Sequence, residues 1–340
     1  MFYKNYIKDK SSSVKNTKKQ PELIEKVLTF ITPTMQELEE RIDKRFSYTF
    51  FDSIVGILSF RDRVNSLLLS ELGGYINGPK HAPAGTKRIS NLLRNKDWDY
   101  TIIEQTLQNK AKERLSAPSE KGKQWLMHWD DSVLEKAESW KIEGLCPVFS
   151  SKASRITRIK PGYYNNYGRI CVPGFEWSAC ILSSMIDTPT ICTMKWWTTK
   201  GEHKESRSNI LYRMLRESSQ IVTQTEAEVW HVFDRGYANT TTLDYLINHF
   251  NQQFIIRWKS NLNLVDSKGI TKNTYRHSLG KKSTSTRVVW DKERKQQRKV
   301  SILYMPVKHP EIEDKQLYLV IARDKKKGSN PIYFLTDVPP

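Results

Sequence analysis

The stretch Trp125-Leu126-Met127-His128-Trp129-Asp130-Asp131 (WLMHWDD) decides the fold. Five apolar or weakly polar residues run together and close on two acids. A run this short, rich in β-formers and without helical spacing, predicts a strand buried on both faces. Downstream, residues 135–165 read as irregular. Strands are expected over 168–184, interrupted at Pro173-Gly174, and over 190–197, where TICTMKWW is rich in β-formers. Residues 207–220 carry Ile210, Met214 and Leu215 at helical spacing. Residues 228–233 form a further strand that closes on Asp234. A helix from about Thr240 buries Leu243, Leu246, Ile247 and Phe250, and residues 254–258 make the fifth strand.

Three strands, a helix, a strand, a helix and a strand is the order of an RNase H-like core. The expected fold class is therefore α/β: an RNase H-like mixed sheet core with helices, a helical N-terminal domain and a β-rich insert. In such a sheet the first and fourth strands are neighbours, so Asp131 and Asp234 at their ends would share a pocket. An isolated Asp at a strand end is usually a cap or turn residue. Two of them converging repel and resist ionising together. A divalent cation resolves that conflict, and Mg2+ favours carboxylate oxygens with several waters retained. Asp130 and Asp131 point to opposite faces of their strand. The expectation is that Asp131 is the ligand and Asp130 a supporting carboxylate or a cap.

The rest of the chain sets the context. Its 340 residues carry 55 Lys plus Arg against 37 Asp plus Glu, a net charge of +18, which favours a polyanionic partner. The charge is concentrated. Residues 1–20 hold six Lys against one Asp, and residues 266–300 hold a net +8. Residues 1–20 read as a flexible basic arm and 21–122 as a helical, DNA-binding domain. A stripe of Ile54, Ile57, Leu58, Arg61, Val64, Leu67, Leu68 and Leu72 runs to Gly73-Gly74, where the helix is expected to end. The turn-rich GPKHAPAG follows. A second helix is expected from Thr86 or Ser90, with Ile89, Leu92 and Leu93 inward and Lys87, Arg88, Arg94 and Lys96 outward, compatible with a helix-turn-helix. Residues 123–259 would be the core. Residues 260–340 would be a basic β-rich insert (TRVVW, VSILYMPV, LYLVIA, IYFLTD), with Lys281 and Lys282 among its candidate DNA contacts. Cys146, Cys171, Cys180 and Cys192 form no CxxC pair, so buried reduced thiols in a cytoplasmic protein are expected rather than a zinc ribbon. No apolar run approaches the length of a membrane span.

HWDDSVLEK (128–136), KIEGLCPVFSSK (141–152), IKPGYYNNYGR (159–169), MKWWTTKGE (194–202), VFDRGYANTTTLDYL (232–246) and FIIRWK (254–259) together resemble the DDE transposases of bacterial insertion sequences, of the insertion-sequence-four type. The resemblance implies a helical region that binds terminal inverted repeats, and metal-dependent strand cleavage followed by strand transfer to target DNA. Its implied partners are double-stranded DNA, at the element ends and the target, and a second copy of the chain in the DNA complex. Its implied cofactor is Mg2+, with Mn2+ as a substitute. Carried onto this chain, it implies Asp131 and Asp234 as catalytic, metal-binding carboxylates, supported by Asp130, Ser132 and Arg235. Lys136, Arg257 and Lys259 become candidate backbone contacts. The family's third carboxylate is a Glu in Tyr-x2-Arg-x3-Glu-x6-Lys. None of the tyrosines after Asp234 has Arg three residues on, and Glu311 and Glu313 lie in a Pro-flanked loop. The expectation is a chain lacking that last helix and impaired in catalysis, with a catalytically inactive, DNA-binding repressor of transposition as the alternative.

Overall fold

The computed structural model describes residues 20–59, 68–117, 124–137, 139, 141–150, 162–166, 168–184, 188–225, 227–291, 295–324 and 330–340. The expected basic arm lies almost wholly outside them, as do Arg61, Val64 and Leu67 of the expected stripe. The chain divides into two compact units, residues 1–106 and 107–340. The boundary falls earlier than the expected one at 122. It lies within a helix whose Ile102 joins the first unit's core while Ala111 and Leu115 join the second's.

The first unit is helical: α1 Gln20–Arg41, α2 Lys44–Ser59, α3 Leu69–Asn77, α4 Ala82–Leu93 and the start of α5 Thr101–Ser116. Gly73-Gly74 does not end a helix, as expected from sequence. Gly73 lies inside α3 because the chain needs its missing side chain there. A Cβ on Gly73 would sit 2.4 Å from the Thr86 nitrogen, and one on Gly85 would sit 2.2 Å from the Gly73 carbonyl oxygen. The two glycines let α3 and α4 touch backbone to backbone. The stop comes instead at Gly78, whose φ of 85° suits glycine. After the short 3-10 turn Pro79–His81, α4 starts at Ala82, earlier than expected. Ile89 and Leu92 are buried as expected, whereas Leu93 is exposed. No helix among the described residues is long and apolar enough to cross a membrane.

The second unit is built on one thirteen-stranded sheet: β1 Trp125–Glu135, β2 Cys146–Phe149, β3 Tyr164–Asn166, β4 Arg169–Ser183, β5 Thr190–Trp197, β6 Val229–Phe233, β7 Gln253–Trp258, β8 Asn263–Asp266, β9 Thr271–Asn273, β10 Ser285–Asp291, β11 Gln296–His309, β12 Ile312–Asp324 and β13 Ile332–Thr336. Within it, β5, β4, β1, β6 and β7 lie side by side. The first three are antiparallel, and β1–β6 and β6–β7 are parallel. This is the RNase H-like order expected from the sequence, in a mixed α/β unit. Three details differ. β4 runs unbroken through Pro173-Gly174: that pair lies opposite Pro147 and Cys146 of β2 on one side, and on the other the Pro173 carbonyl accepts from the Lys136 N–H (2.7 Å). The stretch read as irregular contributes β2 and β3. The expected β-rich insert joins the core sheet directly: β13 pairs with β7, and β12 and β11 continue the same sheet.

Helices α6 Arg207–Thr225, α7 Thr240–Asp244 and the end of α5 cover one sheet face. Trp125, Met127 and Trp129 of β1 point into that layer, packed with Ile210, Met214 and Leu215 of α6 and Phe233 of β6. All four cysteines are buried and free. His231 is fully buried there. The Trp129 indole donates to its Nδ1 (3.0 Å), so Nε2 carries the proton shared with Gln252 Oε1 (3.2 Å). Burial pushes its pKa down to about 4. The opposite face shows the alternate residues of the same strands. Leu126, His128, Trp230, Val232 and Ile255 are half-buried, and Asp130, Asp234 and Arg257 are exposed.

Candidate active site

Pleating and register fix which acids meet. Residues directly opposite each other in a ladder share a face. β1 and β6 pair in parallel as far as Trp129 opposite Phe233. The next residues along are Asp130 and Asp234, and Asp234 keeps an extended backbone (φ −75°, ψ 178°). The two carboxylates therefore stand side by side on the open face, one residue beyond the last paired rung. β7 continues the row. Ile256 lies opposite Phe233, which sets Arg257 beside Asp234. On the other side Asp130 is opposite Ala179. The row across the open face reads Ala179, Asp130, Asp234, Arg257.

This corrects the expected choice between the two acids. Asp131, read from the sequence as the metal ligand with Asp130 as its support, points to the helix-covered face, and both its oxygens are engaged. Oδ1 accepts from the Ser178 hydroxyl (2.5 Å) and the Tyr237 hydroxyl (2.6 Å), and Oδ2 accepts from Arg207 Nε (2.5 Å). The physical reason is the pleat. Asp234 follows Phe233 on the face opposite Phe233, and the β1 residue in the same position is Asp130. Ser132 also lies on the Asp130 face, opposite Trp177. Trp177 and Trp196 form an aromatic pair there, with centroids 6.0 Å apart and Trp196 exposed.

Electrostatics follow the geometry. Burial and then the neighbouring Asp234 hold the Asp130 carboxyl above its ordinary pKa. Asp234 is oriented by the Gly236 N–H, which donates to its Oδ1 (2.7 Å) at the start of the 3-10 turn Arg235–Tyr237. On the covered face, Glu176 is pushed up by burial and by Asp131, with Arg207 opposing. Burial works against the Arg207 charge, but Asp131 and Tyr237 outweigh it and hold its pKa above the usual value. The Tyr237 hydroxyl is held far above the phenol range, by burial first and by Asp131 next.

The two carboxylates suit a divalent cation, since Mg2+ is commonly held by one or two carboxylates with water and phosphate completing the shell. Among the described residues, no group of three or more His, Cys, Asp or Glu side chains converges as a metal site. Glu311 accepts from the Thr240 hydroxyl (3.1 Å).

The candidate DNA contacts divide. Arg257 is exposed beside the acids. Arg235 is exposed in the turn after Asp234, and Lys281 and Lys282 are exposed in the β-rich half. Lys136 is half-buried, and Lys259 is half-buried with its Nζ on the Ala238 carbonyl (3.3 Å). In the helical unit Lys87 and Arg94 are exposed. Arg88 is half-buried and bonds Asn77 (3.0 Å) and Asp52 (3.3 Å), whose side chain is only 5 % exposed. Sequence reasoning missed Ser178 and Arg207. Tyr237 carried a signal, as part of Asp-Arg-Gly-Tyr. Arg207 carried none beyond its place at the start of a helix.

No protein-family model matches the chain. No curated protein matches it either. Among solved structures it is similar to the crystal structure of Marinitoga piezophila Argonaute in complex with a 5′-OH guide RNA and target DNA. The identity is 9 % and the TM-score 0.21, over 73 % of this chain and 28 % of that one. The chain thus spans under a third of that protein's length, and an overlap so slight carries no argument about function.

Proposed function

We propose that this chain is a DNA transposase of the DDE type, binding the ends of an insertion sequence and acting on DNA strands with Mg2+. The observation that carries the reading is the row Asp130, Asp234, Arg257 on three neighbouring parallel strands. Asp130 and Asp234 would hold a divalent cation, which supplies Lewis-acid activation of a phosphoryl oxygen and of an attacking hydroxyl. Arg257 binds the DNA phosphate beside it with a planar, always-charged head. Asp234 is held for this work by the Gly236 N–H, and Asp130 by its pairing with Ala179 of β4. The exposed Lys87 and Arg94 of the helical unit, and Lys281 and Lys282, add sequence-independent attraction to the backbone. A site of double-stranded DNA in a cytoplasmic setting, acted on by a pair of protomers, completes the proposal.

A second reading is favoured by one observation. Among the described residues no third carboxylate joins the pair, which suits a DNA-binding repressor of transposition that does not cut. One titration separates the readings. Purified protein is mixed with inverted-repeat DNA at rising salt, then given Mg2+ or Mn2+. Both readings require a complex whose affinity falls steeply with salt. Metal-dependent nicking, lost in Asp130→Asn and in Asp234→Asn while binding persists, supports the enzyme. Binding without nicking supports the repressor. No complex on any DNA at low salt overturns both.

A further inference from the structure

The ladder between β1 and β6 stops one residue short of the carboxylates. Its last pair is Trp129 and Phe233. Beyond it β1 continues against β4, while the other chain turns away into the 3-10 turn. Strand pairing alone therefore does not set the separation of Asp130 and Asp234.

What bridges the gap is the side chain next to Asp130. Asp131 receives the Tyr237 hydroxyl (2.6 Å) from the far end of the turn that begins at Asp234. It also receives Arg207 Nε (2.5 Å), and the same guanidinium donates from Nη1 to the Gly236 carbonyl (3.1 Å). Arg207 lies over the Tyr237 ring, 4.3 Å from its centroid. Gly236 in turn donates its N–H to Asp234. On the strand side, Ser178 of β4 donates to Asp131 and itself receives the Trp197 indole (3.1 Å). One carboxylate thus joins β1, β4, the head of α6 and the turn.

We propose that Asp131, Arg207 and Tyr237 form a positioning clamp that replaces the missing ladder rungs and fixes the spacing of Asp130 and Asp234 for a small, geometry-demanding divalent cation. The inference rests on the metal-binding reading of that pair. The clamp touches neither the cation nor DNA. It acts through the backbone on both sides of the carboxylates. Partners that orient metal ligands are commonly worth about 10- to 100-fold in affinity. Mg2+ demands near-ideal octahedral geometry, whereas Ca2+ tolerates irregular shells. Loosening the clamp should therefore cost Mg2+ much more than Ca2+.

The test uses residues 1–340 and the metals alone. Mn2+ binding is read by water-proton relaxation enhancement, and Mg2+ and Ca2+ are read by displacement of Mn2+. The variants are Tyr237→Phe, which removes one oxygen, and Arg207→Lys, which keeps the charge and loses the fork. The expected result is Mg2+ affinity down about tenfold in each variant, with Ca2+ affinity changed by less than about twofold. Thermal melts identify any variant that fails to fold, and the other variant then carries the test. Unchanged Mg2+ affinity in both overturns the clamp. An equal fall for both metals also overturns it, because that is the mark of general loosening. Wild-type protein that binds no Mn2+, or Asp130→Asn that still binds it fully, overturns the metal-site reading and the clamp with it. Loss in Asp130→Asn alongside unchanged Tyr237→Phe and Arg207→Lys overturns the clamp only.

Discussion

Asp130 and Asp131 are consecutive residues with the same side chain, yet the sheet gives them opposite surroundings. On the covered face Asp131 has three hydrogen-bond donors, one of them an arginine, and a roof of helix. On the open face Asp130 has another carboxylate as its neighbour and a pKa raised by burial and by that neighbour. One face spends its acid on holding the fold together. The other keeps two acids in mutual repulsion, an arrangement that costs stability and is kept where a site needs it. The comparison teaches that the position along the pleat, rather than the residue type, separates an acid bound into the fold from one left open beside another carboxylate.

That contrast makes opposed predictions for stability. Asp131→Ala leaves Arg207 and Tyr237 facing a hole. Losing one partner of a buried pair costs about 3–5 kcal/mol. Arg207 keeps 39 % exposure and Asp131 19 %, so water screens the pair and about 2–3 kcal/mol is expected, read as a lower urea midpoint with unchanged slope. A loss under about 0.5 kcal/mol would break the claim that this acid is structural.

His231 sharpens the covered side. Its ordinary pKa is 6.5 and its value in the fold is about 4. Between those values the unfolded chain binds a proton that the folded chain does not. Stability is therefore full above about pH 6.5 and falls as pH drops through the window, by up to about 1.4 kcal/mol per pH unit. Below about pH 4 both states are protonated and this loss levels off. Urea titrations from pH 7 to 4 should show the slope, and His231→Gln should flatten it. An unchanged slope in the variant would mean that other groups carry it.

The smallest effect is expected on the open face. Asp130→Asn relieves repulsion with Asp234, so the melting temperature should stay level or rise slightly. A clear fall would show that Asp130, too, is part of the scaffold.

The sequence made the frame of this site legible. Apolar runs ending in acids located β1 and β6, and their order predicted the neighbouring parallel pair that brings two carboxylates together. It did not settle which acid of Asp130-Asp131 faces Asp234. That choice depends on interstrand register to a single residue, and a one-residue slip exchanges the faces. Nor did it show Arg207, whose role arises from the approach of the α6 head to the turn. Gly73 departs from its local signal for a related reason. A glycine in a helical stripe suggests a stop, whereas here it serves contact with Gly85, a tertiary fact with no local signature. The four cysteines are buried free thiols, as their lack of paired spacing predicts, because spacing is itself a local property.

Asp130, and not Asp131, shares a face with Asp234. Adjacent strand positions lie within disulfide reach, which requires Cα atoms about 4.4–6.8 Å apart and side chains on one side. The direct measurement is mild copper-catalysed oxidation of two double variants, Asp130→Cys with Asp234→Cys and Asp131→Cys with Asp234→Cys, scored by peptide mass mapping. The first pair is predicted to close into a disulfide while the second stays as free thiols. Closure of the second pair with the first left open would contradict the assignment.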